Sequence, residues 1–460
     1  MDYSAANISL WSVIIQLGMI AAAILVAAFL RSKIPFIRKS MMPVAVLAGF
    51  LLLILKQLGV IRVNNEILET LVYHGIALGF IAMSLRVPGK DQSRAEKLTG
   101  MKSGALIVST YLVQGIVGLI ITILISGTLM PGLFKAAGLL LPMGFGQGPG
   151  QANNIGASYQ AMGFTNGHSF GLAIAAAGYL CACIVGVVMV NVLARRRSAV
   201  QKAAASEQEL SVDYFQDSEE IPVSDSVDKL SVQLALIFIV YLLTYLVTWG
   251  LTSGISSVSE GLANTLNSLL WGFNFIVGSA LAILLRFLLG KAKKAQVIVH
   301  QYQNNYLLNR LSGFFFDVMI VAGIAAINME DLRGLWLPFL LLVIAGAVIT
   351  WLYLSVVCKR IYRGYYEEGL ISMYGMLTGT ISSGVLLLRE IDPELGTPAA
   401  NNLITGSSFG ILFGAPVLVL ITLAAKSDVM CYVTVGLAAV YLVILLGVIY
   451  KIGKKRPPAE

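Results

Sequence analysis

Residues 144–156, GFGQGPGQANNIG, combine five glycines and a proline with several side-chain amides. Glycine lets the backbone turn through positive φ and leaves N–H groups open to a ligand. A helix that begins after such a turn directs about half a positive charge at its first residues, which suits a carboxylate. The carbonyl groups released at the break, together with amide oxygens, suit a small hard cation such as sodium. The stretch therefore has the chemistry of an anion site beside a cation site.

A second stretch of the same kind is YGMLTGTISSGVLLLRE at residues 374–390, where glycines alternate with hydroxyl side chains. We predict that the substrate-binding residues are Gly146, Gln147, Gly148, Gly150, Gln151, Asn153, Asn154, Thr378, Gly379, Ser383 and Arg389. We predict that the sodium ligands are Asn154, Thr380, Ser382 and Asp317. The alternative is close helix packing, which also enriches Gly, Ser and Thr. Packing requires neither a proline nor two adjacent asparagines, so residues 144–156 favour a site.

The composition indicates the environment of these stretches. Hydrophobic residues make up 57% of the 460 residues and charged residues only 12%, a balance typical of proteins with many membrane spans. The basic residues lie in short clusters between apolar runs, where they indicate orientation and not nucleic-acid binding. The four cysteines lie in or beside apolar segments without the spacing of a zinc or redox motif, so we expect inert packing thiols.

Apolar runs long enough to cross a ~30 Å hydrocarbon core predict the spans. Eleven such runs start near residues 8, 41, 66, 102, 168, 231, 263, 311, 336, 402 and 429. Two further stretches, 136–163 and 366–388, are interrupted by glycine and polar residues. If the N-terminus is outside and neither stretch crosses, 27 of the 32 Lys and Arg lie inside and five lie outside (Lys56, Arg62, Lys135, Arg333 and Lys426). This bias predicts that both stretches are re-entrant hairpins.

The polar segment 194–230 divides the chain and predicts a flexible cytoplasmic linker. Residues 1–193 and 231–425 each contain four spans, an interrupted stretch and a fifth span, so the second half enters the membrane inverted. GHSFGLAIAAAG at 167–178 matches GSSFGILFGAPV at 406–417, and residues 73–84 align with 316–327 without gaps. The predicted fold is an all-α polytopic membrane protein with two inverted repeats of five helices and one hairpin each. Residues 426–460 add an extra helix and a basic tail.

GMLTGTISSGVLLLREIDP at residues 375–393 resembles the second hairpin of the bacterial sodium:glutamate symporter family. The resemblance implies two inverted five-span domains, an elevator-type homodimer and sodium-coupled uptake of glutamate. Glutamate-carrying members of that family have a Gly-Gly-His-Gly-Thr-Gly-like first hairpin. In this chain Gln147 and Pro149 stand at the His and Thr places. Because of this departure, the resemblance implies the transporter class and leaves the substrate open.

Ionisable residues within predicted spans are few. Asp317 is a sodium or proton ligand, a neutral, hydrogen-bonded acid, or an acid close to the cytoplasmic boundary, because an acid in a membrane usually faces a cavity, a cation or a partner. His74, at the corresponding place of the first half, is best explained as a hydrogen-bonded packing residue. Arg389 can clamp a carboxylate or pair structurally with its acidic neighbours. Glu66 and Glu69 open a span, where a helix N-terminus stabilises acids, and need no functional role.

These features favour a secondary transporter in the cytoplasmic membrane of a bacterium, with the C-terminus inside. An ATP-driven pump is disfavoured because the chain has no G-x-x-x-x-G-K-[ST] loop, and an enzyme because its three histidines are scattered. We expect a small anionic amino acid as substrate, sodium as coupling ion, the bilayer and a second copy as partners, and neither an organic cofactor nor nucleic acid. An exporter or exchanger of another small organic anion or amino acid, or a channel, remains the alternative.

Overall fold

The computed structural model describes residues 3–4, 7–39, 42–87, 94–197, 226–256, 270–271, 274–298, 302–392 and 396–451. Over these residues the secondary structure is helical, without strands. The helices are α1 (Ile8–Lys33), α2 (Pro35–Lys39), α3 (Val44–Gln57), α4 (Asn65–Leu85), α5 (Arg94–Thr128), α6 (Leu140–Gln147), α7 (Pro149–Ala161), α8 (Gly167–Arg197), α9 (Ser226–Ser256), α10 (Asn274–Lys294), α11 (Asn305–Ala326), α12 (Trp336–Ile361), α13 (Tyr366–Thr378), α14 (Ile381–Arg389), α15 (Ala399–Ala424) and α16 (Asp428–Lys451). Short 3₁₀ turns occupy Lys135–Leu139 and Met329–Leu332.

Ten helices in the described ranges are long and apolar enough to cross a membrane. They correspond to ten of the eleven predicted spans. The predicted span near residue 41 is the exception, because α3 has only 14 residues and reaches about 21 Å at 1.5 Å per residue. The span predicted from residue 263 is described at residues 270–271 and from Asn274 onward, since residues 257–269 and 272–273 lie outside the described part. The central part of the predicted linker, residues 198–225, also lies outside it.

The helices group into two compact units. Unit 1 contains Met1–Glu69, Gln92–Ala205 and Ile320–Glu460, and unit 2 contains Thr70–Asp91 and Ser206–Met319. Each unit therefore takes helices from both sides of the predicted linker. Compact units reflect which helices pack together, whereas repeats reflect the order along the chain. The predicted repeat boundaries thus stay a prediction.

Unit 1 is organised around α5, whose small residues allow close contact with helices from both halves of the sequence. A Cβ on Gly118 would lie 2.1 Å from the carbonyl oxygen of Gly138, so the two backbones touch. A Cβ on Gly104 would lie 2.5 Å from the Phe409 side chain of α15. Tyr362, which is fully buried, donates a hydrogen bond to Ser103 of α5 at 2.9 Å. Residues far apart in sequence thus form a single packed core.

Unit 2 is built from α4, α9, α10 and α11. Its core contains Leu78, Ile81, Ala82, Leu85, Ile237, Val240, Ala282 and Leu308. Helices α4 and α11 contact each other through Gly75 with Met319 and Gly79 with Phe316. Residue numbers rise on one helix as they fall on the other, so the two helices are antiparallel. Two inverted repeats require this orientation of residues 73–84 and 316–327, although the duplication itself stays a prediction.

The last helix, α16, corresponds to the predicted extra span and is tied to unit 1 at its start and at its middle. Asp428 at its start pairs with Lys135, and this hydrogen bond raises the pKa of Lys135 above its usual value. Tyr441 donates a hydrogen bond to the carbonyl of Phe413 in α15 at 2.7 Å. The helix is therefore an integral part of unit 1.

Candidate functional site: two chain breaks that meet

The first interrupted stretch forms a folded-back helix pair, α6 and α7. The ring of Phe134, before α6, stacks on Phe164, after α7, with centroids 5.4 Å apart, and lies 5.3 Å from Tyr159. The break between the helices is Gly148, with φ 83° and ψ −173°, a conformation open almost only to glycine. Pro149 begins α7, where the missing N–H costs no helical hydrogen bond. Glycine and proline thus give the chain a sharp turn between two short helices.

The second interrupted stretch forms a similar pair, α13 and α14, broken at Gly379 and Thr380. A Cβ on Gly384 would lie 2.5 Å from the carbonyl oxygen of Ser372. Residues twelve positions apart would be about 18 Å apart in a continuous helix. The chain therefore folds back at the break, and glycine at position 384 permits the close approach of α14 to α13.

The two breaks meet inside unit 1. A Cβ on Gly148 would lie 3.8 Å from the Cγ2 methyl of Thr380 and 3.6 Å from the Tyr179 hydroxyl. A Cβ on Gly379 would lie 3.1 Å from the Tyr179 ring. We call this region, residues 146–154 and 377–383 with Gln114 and Tyr179, the tip site. The two interrupted stretches therefore come together in the folded chain.

Helices α5 and α8 hold the two breaks in place. Tyr111 donates a hydrogen bond to the carbonyl of Gly146 at 3.0 Å. Gln114, which is fully buried, donates to the Leu377 carbonyl at 3.0 Å and to Thr350 at 2.8 Å. A Cβ on Gly178 of α8 would lie 2.5 Å from the Thr378 carbonyl oxygen. The sequence analysis missed Gln114, although a lone Gln in an apolar span is itself a signal, because a polar side chain in the membrane usually faces the protein interior.

The tip site contains buried polar atoms that have no hydrogen-bond partner among the described residues. They are Gln114 Oε1, Gln151 Oε1 and Nε2, Asn153 Oδ1, Thr380 Oγ1 and Ser383 Oγ. Gln114 Oε1 lies 3.4 Å from the Cβ position of Gly146, and Ser383 Oγ lies 2.9 Å from that of Gly379. A buried polar group without a partner costs about 1–3 kcal/mol. Such a concentration at one place is expected where a ligand supplies the missing partners.

The charges at the tip site come from the backbone. Helices α7 and α14 begin at the breaks, and α6 and α13 end there, so partial positive and negative charges meet at the same place. Over the described residues, the buried polar side chains include no Lys, Arg or His, and the one buried carboxyl group belongs to Glu368. Glu368 lies ten residues before the end of α13, about 15 Å away at 1.5 Å per residue. The tip site is therefore lined by neutral amides and hydroxyls.

Most of the predicted ligands lie in the two segments whose breaks meet here. Those in the tip site are Gly146, Gln147, Gly148, Gly150, Gln151, Asn153, Asn154, Thr378, Gly379, Thr380 and Ser383. Arg389 does not join them, because it is exposed at the far end of α14, about 13 Å from the break at 1.5 Å per residue. Asp317 belongs to unit 2, where its side chain is exposed. The side chain of Ser382 lies outside the described part of the chain. These roles stay predictions.

The remaining polar residues singled out in the sequence have structural contacts. His74 shares a 2.5 Å hydrogen bond with the Tyr241 hydroxyl in unit 2, as the packing interpretation predicts. Glu69 lies 3.2 Å from His168 Nε2, and Ser169 donates to Asp331 at 2.6 Å.

A Cβ on Gly171 would lie 2.4 Å from the Ala152 carbonyl oxygen, so the first Ser-Phe-Gly stretch, residues 169–171, is a packing surface. All four cysteines are free thiols.

The long apolar helices define the class of the molecule: an α-helical, multi-pass membrane protein. Comparison of the sequence with models of known protein families and with curated proteins finds no match. These comparisons therefore assign the chain to no family, and the tip site is the feature that indicates a function.

Proposed function

We propose that the protein is a secondary active transporter that moves a small amino acid together with sodium through an alternating-access cycle. The observation that carries this proposal is the meeting of two chain breaks at buried polar atoms that have no hydrogen-bond partner in the described part of the chain. Non-helical backbone at membrane depth is tolerated only where protein or a water-filled cavity satisfies it. Paired broken helices that offer both N-terminal and C-terminal ends are a common arrangement for binding a substrate carboxylate and its coupling ion.

The division into two compact units supports alternating access. Unit 1 contains both broken helix pairs, and the unit boundary falls within α4 and within α11. In this proposal unit 1 is the part that carries the substrate in the elevator-type cycle that the resemblance implies. The resemblance in residues 375–393 adds sodium as the coupling ion, glutamate as the first solute to test, and a homodimer in a bacterial cytoplasmic membrane.

A test of the proposal is uptake by the purified full-length protein in liposomes, with each of the twenty standard amino acids as labelled solute. We expect one of them, or a small group, to accumulate only with an inward sodium gradient. Accumulation without sodium but with a proton gradient would support a secondary transporter whose coupling ion is the proton and not sodium. No accumulation of any of them by folded protein, in either orientation of the gradients, would refute the proposal.

The second candidate function is export or exchange of a small organic anion, because the tip site can bind a solute that moves in either direction across the membrane. Counterflow distinguishes an exchanger from a symporter, because an exchanger moves labelled solute inward only when unlabelled solute is present inside. A channel would show flux that does not saturate with solute concentration.

Replacing Thr380 with valine tests the sodium role of the second break. The change removes a buried hydroxyl that has no partner among the described residues, so folding should be unaffected or slightly favoured. We expect the sodium concentration for half-maximal uptake to rise about tenfold, the equivalent of ~1.4 kcal/mol, measured in proteoliposomes. Thr434→Val in α16 is the matched control, since Thr434 also carries a buried, unpartnered hydroxyl. Equal sodium dependence in both variants would contradict the sodium role.

A further inference from the structure

We infer that the tip site selects an amino acid with an uncharged, amide-bearing side chain, such as glutamine, in preference to a dicarboxylic amino acid. This inference rests on the proposed function and names its substrate class. It departs from the glutamate that the resemblance implies, and three features of the tip site support it.

The first feature is the amount of positive charge. Two helices begin at the breaks, α7 and α14, and each N-terminus contributes about half a positive charge. Together they match one carboxylate, the α-carboxylate that every amino acid carries. A second carboxylate requires another cationic group, and no Lys, Arg or His is among the buried residues of the described ranges. Arg389, the predicted clamp, is exposed at the opposite end of α14.

The second feature is the orientation of Gln114. Its Nε2 donates to the Leu377 carbonyl, which can only accept, and to the Thr350 hydroxyl. The amide cannot be flipped without losing the bond to Leu377, so Oε1 is the atom left beside Gly146. Oε1 is an acceptor and needs a donor. A carboxylate has no hydrogen to donate, whereas a primary amide has two.

The third feature is the mixture of donors and acceptors among the remaining unpartnered atoms. Gln151 offers both an oxygen and an NH₂ group, and the hydroxyls of Thr380 and Ser383 can donate or accept. Gln151 and Ser383 are 1% and 3% exposed, so water from outside does not satisfy them. A ligand amide uses both kinds of partner, while a ligand carboxylate uses only the donors.

The experiment is competition during uptake by the wild-type protein in proteoliposomes with an inward sodium gradient. Labelled glutamine is the transported solute, and unlabelled asparagine, glutamate and aspartate are competitors. We expect glutamine to enter and glutamate to compete more than about 100-fold more weakly, since a site built for hydrogen bonds rejects a ligand that leaves them unmade. Competition by glutamate with an apparent affinity equal to or higher than that of glutamine would overturn the inference, while the proposed transport function would still hold. Absence of uptake for every amino acid would refute the proposed function and this inference with it.

Insertion of a positive charge gives a second test. Gln147 is half-buried at the end of α6, so Gln147→Arg places a guanidinium at the break. We expect the ratio of glutamate to glutamine affinity to rise at least tenfold, measured by thermal shift of the detergent-solubilised protein at graded concentrations of each amino acid. Ala157→Arg adds the same charge at an exposed position of α7 and should leave the ratio unchanged. An unchanged ratio in folded Gln147→Arg, or an equal change in both variants, would contradict the inference.

Discussion

Replacing Gly148 with alanine is expected to reduce uptake at least tenfold while the protein still folds. Gly148 has φ 83° and ψ −173°, a region in which a side chain costs of order 1–3 kcal/mol. A Cβ there would make only ordinary contacts, 3.6 Å to the Tyr179 hydroxyl and 3.8 Å to Thr380. The cost is therefore backbone strain, which the chain relieves by moving the first break away from the second. The measurement is initial-rate uptake together with the melting temperature in detergent.

The matched control for this substitution is Gly59→Ala. Gly59 also has a positive φ, 71°, but it is exposed, and apart from its chain neighbours no described residue has an atom within 4 Å of its Cβ position. We expect it to lose a comparable amount of stability, about 1–2 kcal/mol, with normal uptake. If both variants lose uptake to the same extent, the effect comes from stability and the geometry of the first break is not essential. Normal uptake by Gly148→Ala would also contradict the role of the tip site.

Gly118→Ala is expected to have the largest effect on folding. Its Cβ would lie 2.1 Å from the Gly138 carbonyl oxygen and 2.9 Å from the Gly138 carbonyl carbon. Both obstacles are backbone atoms, so α5 and the turn at Lys135–Leu139 have to separate. Overpacking of this kind costs typically about 1–3 kcal/mol, more than the helix propensity gained from alanine, about 1 kcal/mol. We expect a lower melting temperature and a smaller monodisperse fraction in size-exclusion chromatography.

The same helix provides a control substitution for which we expect no loss of stability. Gly127 of α5 is exposed, and outside its own helical turn no residue in the described ranges has an atom within 4 Å of its Cβ position. Gly127→Ala should therefore leave stability unchanged or raise it by about 0.5–1 kcal/mol. Equal melting temperatures for the Gly118 and Gly127 variants would show that the close approach of α5 to Gly138 does not contribute to stability.

Several parts of this structure could be predicted from the sequence because they depend on local properties of the chain. Apolar runs of sufficient length predicted ten helices that the structure describes as candidate spans, since a helix satisfies its backbone hydrogen bonds within itself. The breaks at 144–156 and 374–390 were also visible, because glycine and proline act on the backbone of their own residue. Gly148 followed by Pro149 is the clearest example: the positive φ and the helix start are both local consequences of these two residues.

The partners of each side chain could not be predicted, because they depend on how distant helices pack. Gln114 lies between Thr350 and Leu377, more than 200 residues away, and no periodicity within α5 indicates this. Arg389 and Asp317 looked like ligands in the sequence, yet one lies at the far end of α14 and the other in unit 2. The grouping of helices from both predicted halves into one unit has the same cause, because it depends on close contacts such as that between Gly104 and Phe409.

The membrane environment of the protein, its helices and the two places where a helix breaks could thus be predicted from local properties of the chain. Each of these is set by hydrophobicity or by the allowed backbone angles of a few neighbouring residues. The meeting of the breaks at Gly148 and Thr380 became visible only once the helices were packed. The same holds for the neutral amides and hydroxyls around the breaks, which have no partners among the described residues. Van der Waals contact and hydrogen bonding act over a few ångströms in space, regardless of separation along the chain, so the composition of the site appears only once the helices are packed.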